Sequence, residues 1–374
     1  MDDIVKILYI VWGVRDMSIK KIADMVGVSP ATVSRVLNNP DYRCLKPGLR
    51  DQIWKAAIEL DYTPNAAARN LKLGVNSEEN KIKYINVLMT RTDANKADPF
   101  FSEVLHVIES EIHKSGCILS NLWYRSLFSN DARCDMENID RVIEDMYNET
   151  DGKSDGLIIL GQCSGRAIEK FCKTFGNVVI VNRNASNYAV DEVLCDGKKI
   201  ASMAVEYLYS LGHRKIGYVG ACKNEVRYSG YLEALNGYGM ELMPEYVIAT
   251  RQTEADGYES MLKFLQSDDC PTGIYCANDI TAIGMLKCLQ KFKNHYPRPS
   301  IIASDDIEEA QFSKPMLTTV RVPGDEMGRF AVKLLLDRIY GGHSSVVRME
   351  MESKLMIRES CQNVSESIWS DYCI

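Results

Sequence analysis

The chain has 374 residues, of which 46% are hydrophobic and 25% are charged, the proportions of a soluble globular protein with two or three domains. Its twelve cysteines include no CxxC pair, which excludes a zinc ribbon and gives no sign of a dense disulfide framework. No apolar run in the sequence reaches the roughly 18 to 20 residues that are needed to cross a bilayer.

The formal net charge of −7 is unevenly distributed along the chain. Residues 18–75 contain nine Lys and Arg against five Asp and Glu, so this segment is basic and the remainder is acidic. A basic head on an acidic body indicates a polyanionic partner for the head, although random variation in surface composition would give a similar count.

The head has the pattern of a helix-turn-helix. Ser18 is a candidate N-cap, and apolar residues follow it at helical spacing until Gly27. Ser29 caps a second helix, and Pro30 stands at its first position, where the missing N–H group is not needed. The apolar residues of the second helix fall on one stripe: Val33, Val36 and Leu37. This stripe predicts that the other face is exposed.

The exposed face of the second helix predicts contacts with a DNA major groove. Short hydroxyl and amide side chains bond phosphate oxygens without holding a helix off the duplex. Arg35 is long enough for a bidentate contact with guanine, worth roughly 1–3 kcal/mol of discrimination. An ordinary surface helix with a polar face is the alternative. The candidate DNA contacts here are Ser29, Pro30, Ala31, Thr32, Ser34, Arg35 and Asn38.

A third helix is predicted over about 47–60 and completes a DNA-binding domain over 18–62. Its inward residues are predicted to be Ile53, Ala57 and Leu60.

The stretch "YTPNAAARNLKLG" predicts a hinge helix within 63–75, because a Thr-Pro pair begins it and a Gly ends it. A helix of about ten residues is marginal in water, so we expect it to become ordered on DNA, paired with its mate in a dimer. Leu71 is placed to wedge between base steps in the minor groove. A linker helix with Leu71 packed on its own protein is the alternative. The candidate DNA contacts of this segment are Asn65, Arg69 and Leu71.

Residues 82–360 alternate short apolar runs with helical patterns, which predicts an α/β fold of parallel sheets covered by helices. The predicted strands are "IKYINVLM", "GLIIL", "NVVIVN", "KIGYVG", "GIYCAN" and "SIIAS". The predicted helices are "FFSEVLHVIESEIHKSG", "IASMAVEYLYSLG" and "ITAIGMLKCLQKF". Ligands of such sheets bind outside the carboxyl ends of the strands.

Many separate motifs of the chain resemble, in the same order, those of the lactose-repressor (LacI/GalR) family of bacterial transcription regulators. They cover about residues 17–360. They include "MSIKKIADMVGVSPATVSRVLNN", "YTPNAAARNLKLG", "ADPFFSEVLHVIE", "SDGLIIL", "VVIVNR", "LGHRKIGYVG", "RYSGYLEAL", "CANDITAIGML", "SDDIEEAQFSKPMLTTVRVP" and "MIRES".

This resemblance implies two periplasmic-binding-protein-like lobes with an effector cleft between them. By that likeness the first lobe spans about 82–184 and 307–322, and the second about 185–306 and 323–360. Both the predicted strand ends and the family pattern indicate the same effector-binding candidates. These candidates are Phe100, Phe101, Arg183, Arg227, Asn278, Asp279 and Asp305. The two Phe rings are expected to form an apolar wall, and the Arg and Asp side chains to bond ligand oxygens.

The resemblance also implies the function: a sequence-specific DNA-binding repressor controlled by a small-molecule effector, most often a sugar or sugar derivative. A nucleoside or purine effector and a phosphoprotein corepressor remain open alternatives. A homodimer would read a pseudo-palindromic operator, because two-fold protein symmetry imposes it.

The sequence contains no GxSxG, GxxxxGK[ST] or HExxH motif, so we expect no enzyme activity, no cofactor and no metal. An exported solute-binding protein is a rival, because residues 4–14 form a short apolar run. The helix-turn-helix instead favours a cytoplasmic protein without membrane association. We further expect translation to start at Met17 and residues 1–16 to be a non-native or unstructured extension.

Overall fold

The computed structural model of the chain describes residues 19–38, 42, 48–60, 82–91, 98–292 and 298–364. The chain divides into two compact units, with the boundary after Lys81. Several predictions fall outside the described residues: the extension 1–16, the Ser18 cap, and the hinge segment 63–75 with Asn65, Arg69 and Leu71. In the ranges that are described, no helix is both long and apolar enough to cross a bilayer.

The first unit contains three helices, α1 (Ile19–Val26), α2 (Pro30–Asn38) and α3 (Leu49–Glu59). Their apolar faces meet in one small core, as the helical spacing predicted. The buried members of that core are Ile22, Ala23, Val33, Val36, Leu37, Ile53, Ala56 and Ala57, with Leu60 packed against them. The inward positions predicted for the third helix are thereby confirmed.

The turn between α1 and α2 has the predicted chemistry. Gly27 adopts a φ of 70°, a left-handed conformation that glycine adopts without strain, and it follows the last residue of α1. The Oγ of Ser29 accepts a hydrogen bond from the backbone N–H of Thr32 at 3.1 Å. Pro30 is the first residue of α2. The helix-turn-helix is confirmed, and its turn fixes which face of α2 is turned outward.

The second unit is built on two six-stranded sheets. Its strands are β1 (Tyr84–Met89), β2 (Ile118–Tyr124), β3 (Gly156–Leu160), β4 (Val178–Asn182), β5 (Asp191–Cys195), β6 (Ile216–Gly220), β7 (Val247–Ala249), β8 (Gly273–Cys276), β9 (Ser300–Asp305), β10 (Thr318–Arg321), β11 (Arg348–Met351) and β12 (Lys354–Met356). The first sheet has the order β11–β5–β4–β3–β1–β2, and all its strands are parallel. The second has the order β12–β10–β9–β8–β6–β7, with β12 alone antiparallel.

Helices connect the strands and cover the sheets. They are α4 (Pro99–Lys114), α5 (Asp131–Cys134), α6 (Ile139–Asn148), α7 (Gly165–Phe175), α8 (Gly197–Ser210), α9 (Val226–Gly237), α10 (Glu254–Leu265), α11 (Asp279–Lys291), α12 (Glu308–Phe312) and α13 (Gly324–Ile339). Helix α13 packs on α4 and on the first sheet, and α8 packs on the second sheet. Each sheet with its helices forms one lobe. The α/β class, the six predicted strands and the three predicted helices are confirmed.

The predicted division of the chain between the lobes differs from the observed strand pairing at three places. Strand β5 pairs with β4, so the first lobe extends to residue 195 instead of ending at 184. Strand β10 pairs with β9, so residues 307–322 belong to the second lobe. Helix α13 and β11 return to the first lobe, so the second lobe does not contain all of 323–360. The chain therefore leaves the second lobe one strand later than predicted.

Two buried acidic residues explain why β5 is hard to recognise as a strand. Asp191 and Glu192 are each 1% exposed. The Nε of Arg338 lies 2.5 Å from Asp191 Oδ2, and the Nε of Arg348 lies 2.8 Å from Glu192 Oε2. Buried carboxylates are tolerated only when they are paired, and both partners come from residues about 150 positions away in the sequence. No local sequence pattern predicts such pairing.

Helices α10 and α11 cross with their backbones almost in contact. A Cβ atom on Gly284 would lie 2.0 Å from the carbonyl oxygen of Glu254, and one on Gly257 would lie 1.9 Å from that of Thr281. Only a hydrogen atom fits at these positions. This close approach places the first turns of both helices next to each other, beyond the carboxyl ends of β7 and β8.

We expect Gly284→Ala to lower the free energy of unfolding by about 3 kcal/mol, because the added methyl meets backbone that cannot move aside. Urea denaturation followed by circular dichroism measures this change. The control is Gly237→Ala at the end of α9, where no atom lies within 4 Å of the added Cβ. That variant should gain roughly 0.5 kcal/mol. Equal stability of Gly284→Ala and wild type would show that the two helices separate easily.

His343 joins two carboxylates in the first lobe. Its Nδ1 lies 2.5 Å from Asp337 Oδ2 and its Nε2 lies 2.9 Å from Asp191 Oδ2. Both ring nitrogens donate only when the imidazole is charged. The hydrogen bonds to Asp337 and then to Asp191 therefore raise the pKa of His343 above its usual value.

We expect His343→Gln to lower Tm by about 2 °C at pH 6, and by less as the pH is raised to 9. The pKa of His343 is higher in the folded than in the unfolded chain. Its stabilisation is therefore complete below about pH 6.5 and is lost as the pH rises through the folded pKa. Thermal melts across this pH range test the expectation, with the exposed His113→Gln as control. A Tm loss that grows with pH would contradict it.

Candidate functional site

Helix α2 turns a short, mostly polar surface outward. Ala31 is exposed, and Thr32 and Ser34 are half-buried. The hydroxyls of Ser29 and Thr32 lie 2.8 Å apart, so both take part in the cap of the helix. Hydroxyl oxygens retain a second lone pair or proton when they cap, which leaves them able to bond a phosphate group.

Arg35 is the one long cationic side chain on α2. It is exposed and forms no ion pair with a described residue, so its guanidinium is available to an external partner. Pro30 is exposed at the amino end of the same helix. The side chain of Asn38 and all of Asn65, Arg69 and Leu71 lie outside the described residues. The DNA-binding role of the whole set stays a prediction.

Four of the predicted effector-binding residues meet where the two lobes face each other. Phe100 and Phe101 begin α4 in the first lobe, and their rings are 5.1 Å apart in an edge-to-face arrangement. The guanidinium of Arg183, which follows β4, lies 4.5 Å from the ring centre of Phe100. Its Nη2 lies 2.8 Å from Oδ1 of Asp305, the last residue of β9 in the second lobe. This ion pair therefore connects the two lobes.

The polar atoms of this pair are buried but incompletely bonded. Within the described part of the chain, neither Arg183 Nε and Nη2 nor Asp305 Oδ1 has a hydrogen-bond partner. The 2.8 Å separation is thus a charge contact without hydrogen-bond alignment. Buried polar groups nearly always have a partner, so these atoms mark a place where a polar ligand would be stabilised.

Asp305 also carries backbone strain and a shifted pKa. Its φ is 128° and that of Asp306 is 61°, conformations that residues other than glycine rarely adopt. Such strain concentrates at functional sites. Burial raises the pKa of Asp305 to about 6, although the charges of Arg183 and Arg227 act against the rise. The Nη2 of Arg358 lies 2.5 Å from Oδ1 of the neighbouring Asp306. A carboxyl group is therefore fixed at the lobe boundary in an energetically costly state.

Arg227 is held in place by its own lobe. Its Nε lies 2.8 Å from Glu225 Oε1, its Nη2 donates to Glu225 Oε2, and its Nη1 donates to the carbonyl oxygen of Ala277. Burial opposes the charge of Glu225, but the nearby Arg227 holds the pKa of that carboxyl at about 2. Arg227 is 1% exposed. The arrangement fixes a positive charge beside the cleft and leaves few donors for a ligand.

Asn278 and Asp279 are engaged in the protein itself. Asn278 caps α11, because its Oδ1 accepts from the backbone N–H of Thr281. Asp279 is completely buried; its Oδ2 accepts from the N–H of Ile307 and its Oδ1 from the hydroxyl of Thr319. Asp279 therefore links the segment after β9 to strand β10, and its effector-binding role stays a prediction. Asn278 lies on a cavity wall.

A cavity of about 630 Å³ opens between the lobes, and neither Arg183 nor Asp305 lines it. We call it the outer cavity. The first lobe contributes Arg91, Asp98, Pro99, Ser126, Ser129, Asn130, Arg133 and Gln162. The second lobe contributes Arg251, Gln252, Thr253, Glu254, Asn278 and Ile280. A second cavity of about 520 Å³ shares Ser129, Asn130 and Gln162 with it, so the cleft continues along the lobe boundary.

The outer cavity contains residues that the sequence did not indicate. Gln252 has a φ of 66°, and its Oε1 accepts from Arg91 Nη2 at 2.6 Å across the lobe boundary. Burial lowers the pKa of Arg91 from its usual value, and the neighbouring Arg183 and Arg227 add to the effect while Asp98 opposes it. Neither residue lies in a recognisable motif, because loops between strands and helices carry no periodic signal.

Two family descriptions match the chain. Residues 18–65 match "Bacterial regulatory proteins, lacI family", and residues 205–361 match "Periplasmic binding protein-like domain". These matches fall on the first unit and on the carboxyl-terminal part of the second.

Similar proteins span almost the whole chain. The HTH-type transcriptional repressor PurR of Pasteurella multocida is 29% identical over 355 residues, which is 92% of this chain and 99% of PurR. A LacI family transcriptional regulator from Enterococcus faecium with bound ribose is 26% identical, with a TM-score of 0.62 over 75% of this chain and 100% of that one. The lac repressor dimer bound to operator and the anti-inducer ONPF shares the fold, with 20% identity and a TM-score of 0.63 over 91% of this chain and 98% of that one.

Proposed function

The chain belongs to the LacI family of bacterial regulatory proteins, and we propose that it is a DNA-binding transcriptional repressor whose affinity for its operator is controlled by a small molecule. The molecule binds in the cleft of the second unit. The protein acts in the cytoplasm as a homodimer, and it has no catalytic turnover.

Helix α2 supplies the sequence recognition. Its buried stripe holds it in the first unit, and its outward face offers hydroxyl groups and Arg35. Phosphate contacts position such a helix in the groove, and Arg35 discriminates by bonding guanine O6 and N7. Two copies in a dimer read two half-sites, so the operator is pseudo-palindromic.

The buried, incompletely bonded pair between the lobes carries the proposal that the second unit is a sensor. Arg183 and Asp305 belong to different lobes, so a ligand that bonds them favours one relative position of the lobes. A ligand shifts an equilibrium only by its difference in affinity for the two states. A coupling of about 1–3 kcal/mol changes operator affinity roughly 5- to 150-fold. The similar Enterococcus faecium regulator with bound ribose supports a sugar or sugar derivative as the effector.

The test measures operator affinity of the full-length protein with and without candidate ligands. The operator is first obtained by selection from random duplexes. Ribose, glucose, cellobiose, their phosphates, and nucleosides are then added at saturating concentration. We expect one compound to change the operator Kd within the range above and to raise Tm. A compound that raises Tm through the second unit without altering operator affinity would contradict the proposed coupling.

A further inference from the structure

The outer cavity has an excess of positive charge that its own carboxylates do not balance. Asp98 pairs with Arg91, the Nε to Oδ2 distance being 3.3 Å. Glu254 pairs with Lys287 at 2.7 Å. Two arginines on the cavity wall remain, Arg133 from the first lobe and Arg251 from the second.

Among the described residues, Arg133 forms no ion pair, and the ion pair of Arg251 is a long one. Arg133 Nη1 donates to the carbonyl oxygen of Ser126 at 3.3 Å, which leaves its charge uncompensated. The carboxylate nearest to Arg251 is Asp256, at 3.8 Å, and it already accepts the N–H and hydroxyl of Thr253 in a helix cap. The two cations belong to opposite lobes and line the same cavity.

A buried amide donor lies on the same wall. Gln252 is 6% exposed, and its Nε2 has no hydrogen-bond partner within the described residues. Arg91 donates to its Oε1, which fixes the amide and leaves its N–H groups without an acceptor among the described residues. An unpaired buried donor is costly unless an acceptor arrives.

Two amide oxygens of the cavity wall already accept hydrogen bonds from the protein. Asn278 Oδ1 accepts from the hydroxyl of Thr281, and Asn130 Oδ1 accepts from the backbone N–H of Arg133. Helices α10 and α11, of 12 and 13 residues, both begin at this wall and add the partial positive charge of their N-termini. Donors and positive charge therefore predominate.

Resting on the proposed function, we propose that the outer cavity binds an anionic group of the effector, a phosphoryl or carboxylate group held by Arg133, Arg251 and the Gln252 amide. The effector is accordingly a phosphorylated or acidic compound. Since the anion bridges the lobes, it is also the part of the effector that stabilises the closed cleft.

The test uses the full-length protein and compares charged with matched neutral ligands. Thermal shift and calorimetry are measured with inorganic phosphate against sodium chloride of equal ionic strength, with glucose 6-phosphate and glucuronate against glucose, and with ribose 5-phosphate against ribose. We expect inorganic phosphate, and at least one charged sugar relative to its neutral partner, to bind with an advantage of at least tenfold. The phosphate and glucuronate arms separate a phosphoryl from a carboxylate preference.

Substitutions of the two cavity arginines test whether the anion binds in the outer cavity. The double variant Arg133→Gln and Arg251→Gln should lose at least tenfold in affinity for the anion and nothing for neutral sugars. Arg141→Gln is the matched control. Arg141 is 80% exposed and has a carboxylate at 3.9 Å, and Arg251 is similarly 88% exposed and has a carboxylate at 3.8 Å. No advantage for any anion, or an advantage that the double variant retains, would overturn the inference. The inference would also be overturned by a neutral ligand that lowers operator affinity equally in the wild type and the double variant. That result would leave the proposed function intact.

Discussion

Arg35→Ala is expected to weaken operator binding by about 5- to 150-fold for each half-site, the equivalent of roughly 1–3 kcal/mol. The side chain is exposed and makes no ion pair with a described residue, so its removal leaves the fold of the first unit unchanged. The lost free energy is that of a base contact. The variant should therefore lose its preference for guanine at one position of each half-site.

Competition binding at fixed salt measures this effect, with operator and scrambled duplexes in parallel. Lys55→Ala is the control, because Lys55 is also an exposed cation of the first unit but lies on α3. It should weaken binding little, and equally for all sequences. If Arg35→Ala lowered affinity for operator and scrambled DNA by the same factor, Arg35 would be a phosphate contact and the assignment of α2 to base recognition would fail.

Asp305→Asn is expected to reduce effector affinity by at least about 30-fold, because it leaves the buried Arg183 without its charge partner. The substitution preserves size, so lost charge is the only change. The pair joins the two lobes, so we expect it to separate in the ligand-free protein and to admit water to Arg183. We therefore expect little change in the Tm of the ligand-free protein. Titration of the ligand that alters operator affinity of the wild type measures the loss.

Arg338→Met is the control, because it breaks a buried ion pair that lies within one lobe. Arg338 and Asp191 form a pair of the same kind, with Nη2 at 2.7 Å from Oδ1, but both belong to the first lobe. Breaking a buried pair within a lobe should cost about 3 kcal/mol of stability and leave ligand affinity unchanged. An Asp305→Asn variant that lowers Tm as much as Arg338→Met, while binding the ligand normally, would show that Asp305 is structural.

Local chemistry made the first unit predictable. Gly27, Ser29 and Pro30 each restrict the backbone in a way that can be read from the residue type, and the apolar stripe of α2 has helical spacing. Six of the twelve described strands of the second unit were recognisable for a similar reason, since buried parallel strands are continuous apolar runs.

The remaining features depend on partners distant in the sequence. Strand β5 begins with two carboxylates whose arginine partners lie about 150 residues later, and β10 is assigned to the second lobe only by its pairing with β9. Asp279 follows a strand, as a ligand-binding residue would, yet its two oxygens are satisfied by Ile307 and Thr319. Residue type and strand position do not determine which way such a side chain turns.

The cleft also combines residues that could be predicted from the sequence with residues that could not. Arg183 and Asp305 were predicted together from strand ends and from the family pattern, and the structure places them in contact. Gln252 and Arg251 lie in an irregular loop, and a positive φ at a glutamine has no signature in the sequence. Their position on the cavity wall follows from the crossing of α10 and α11, which is a property of packing at Gly257 and Gly284.

Selection of bound duplexes from a random library by the full-length protein, at about 0.15 M salt, measures whether helix α2 recognises a DNA sequence. We expect a pseudo-palindrome with half-sites about one helical turn apart, and loss of one base preference per half-site when Arg35→Ala is used. Recovery of unenriched duplexes, all bound with the same weak and salt-sensitive affinity, would contradict this expectation.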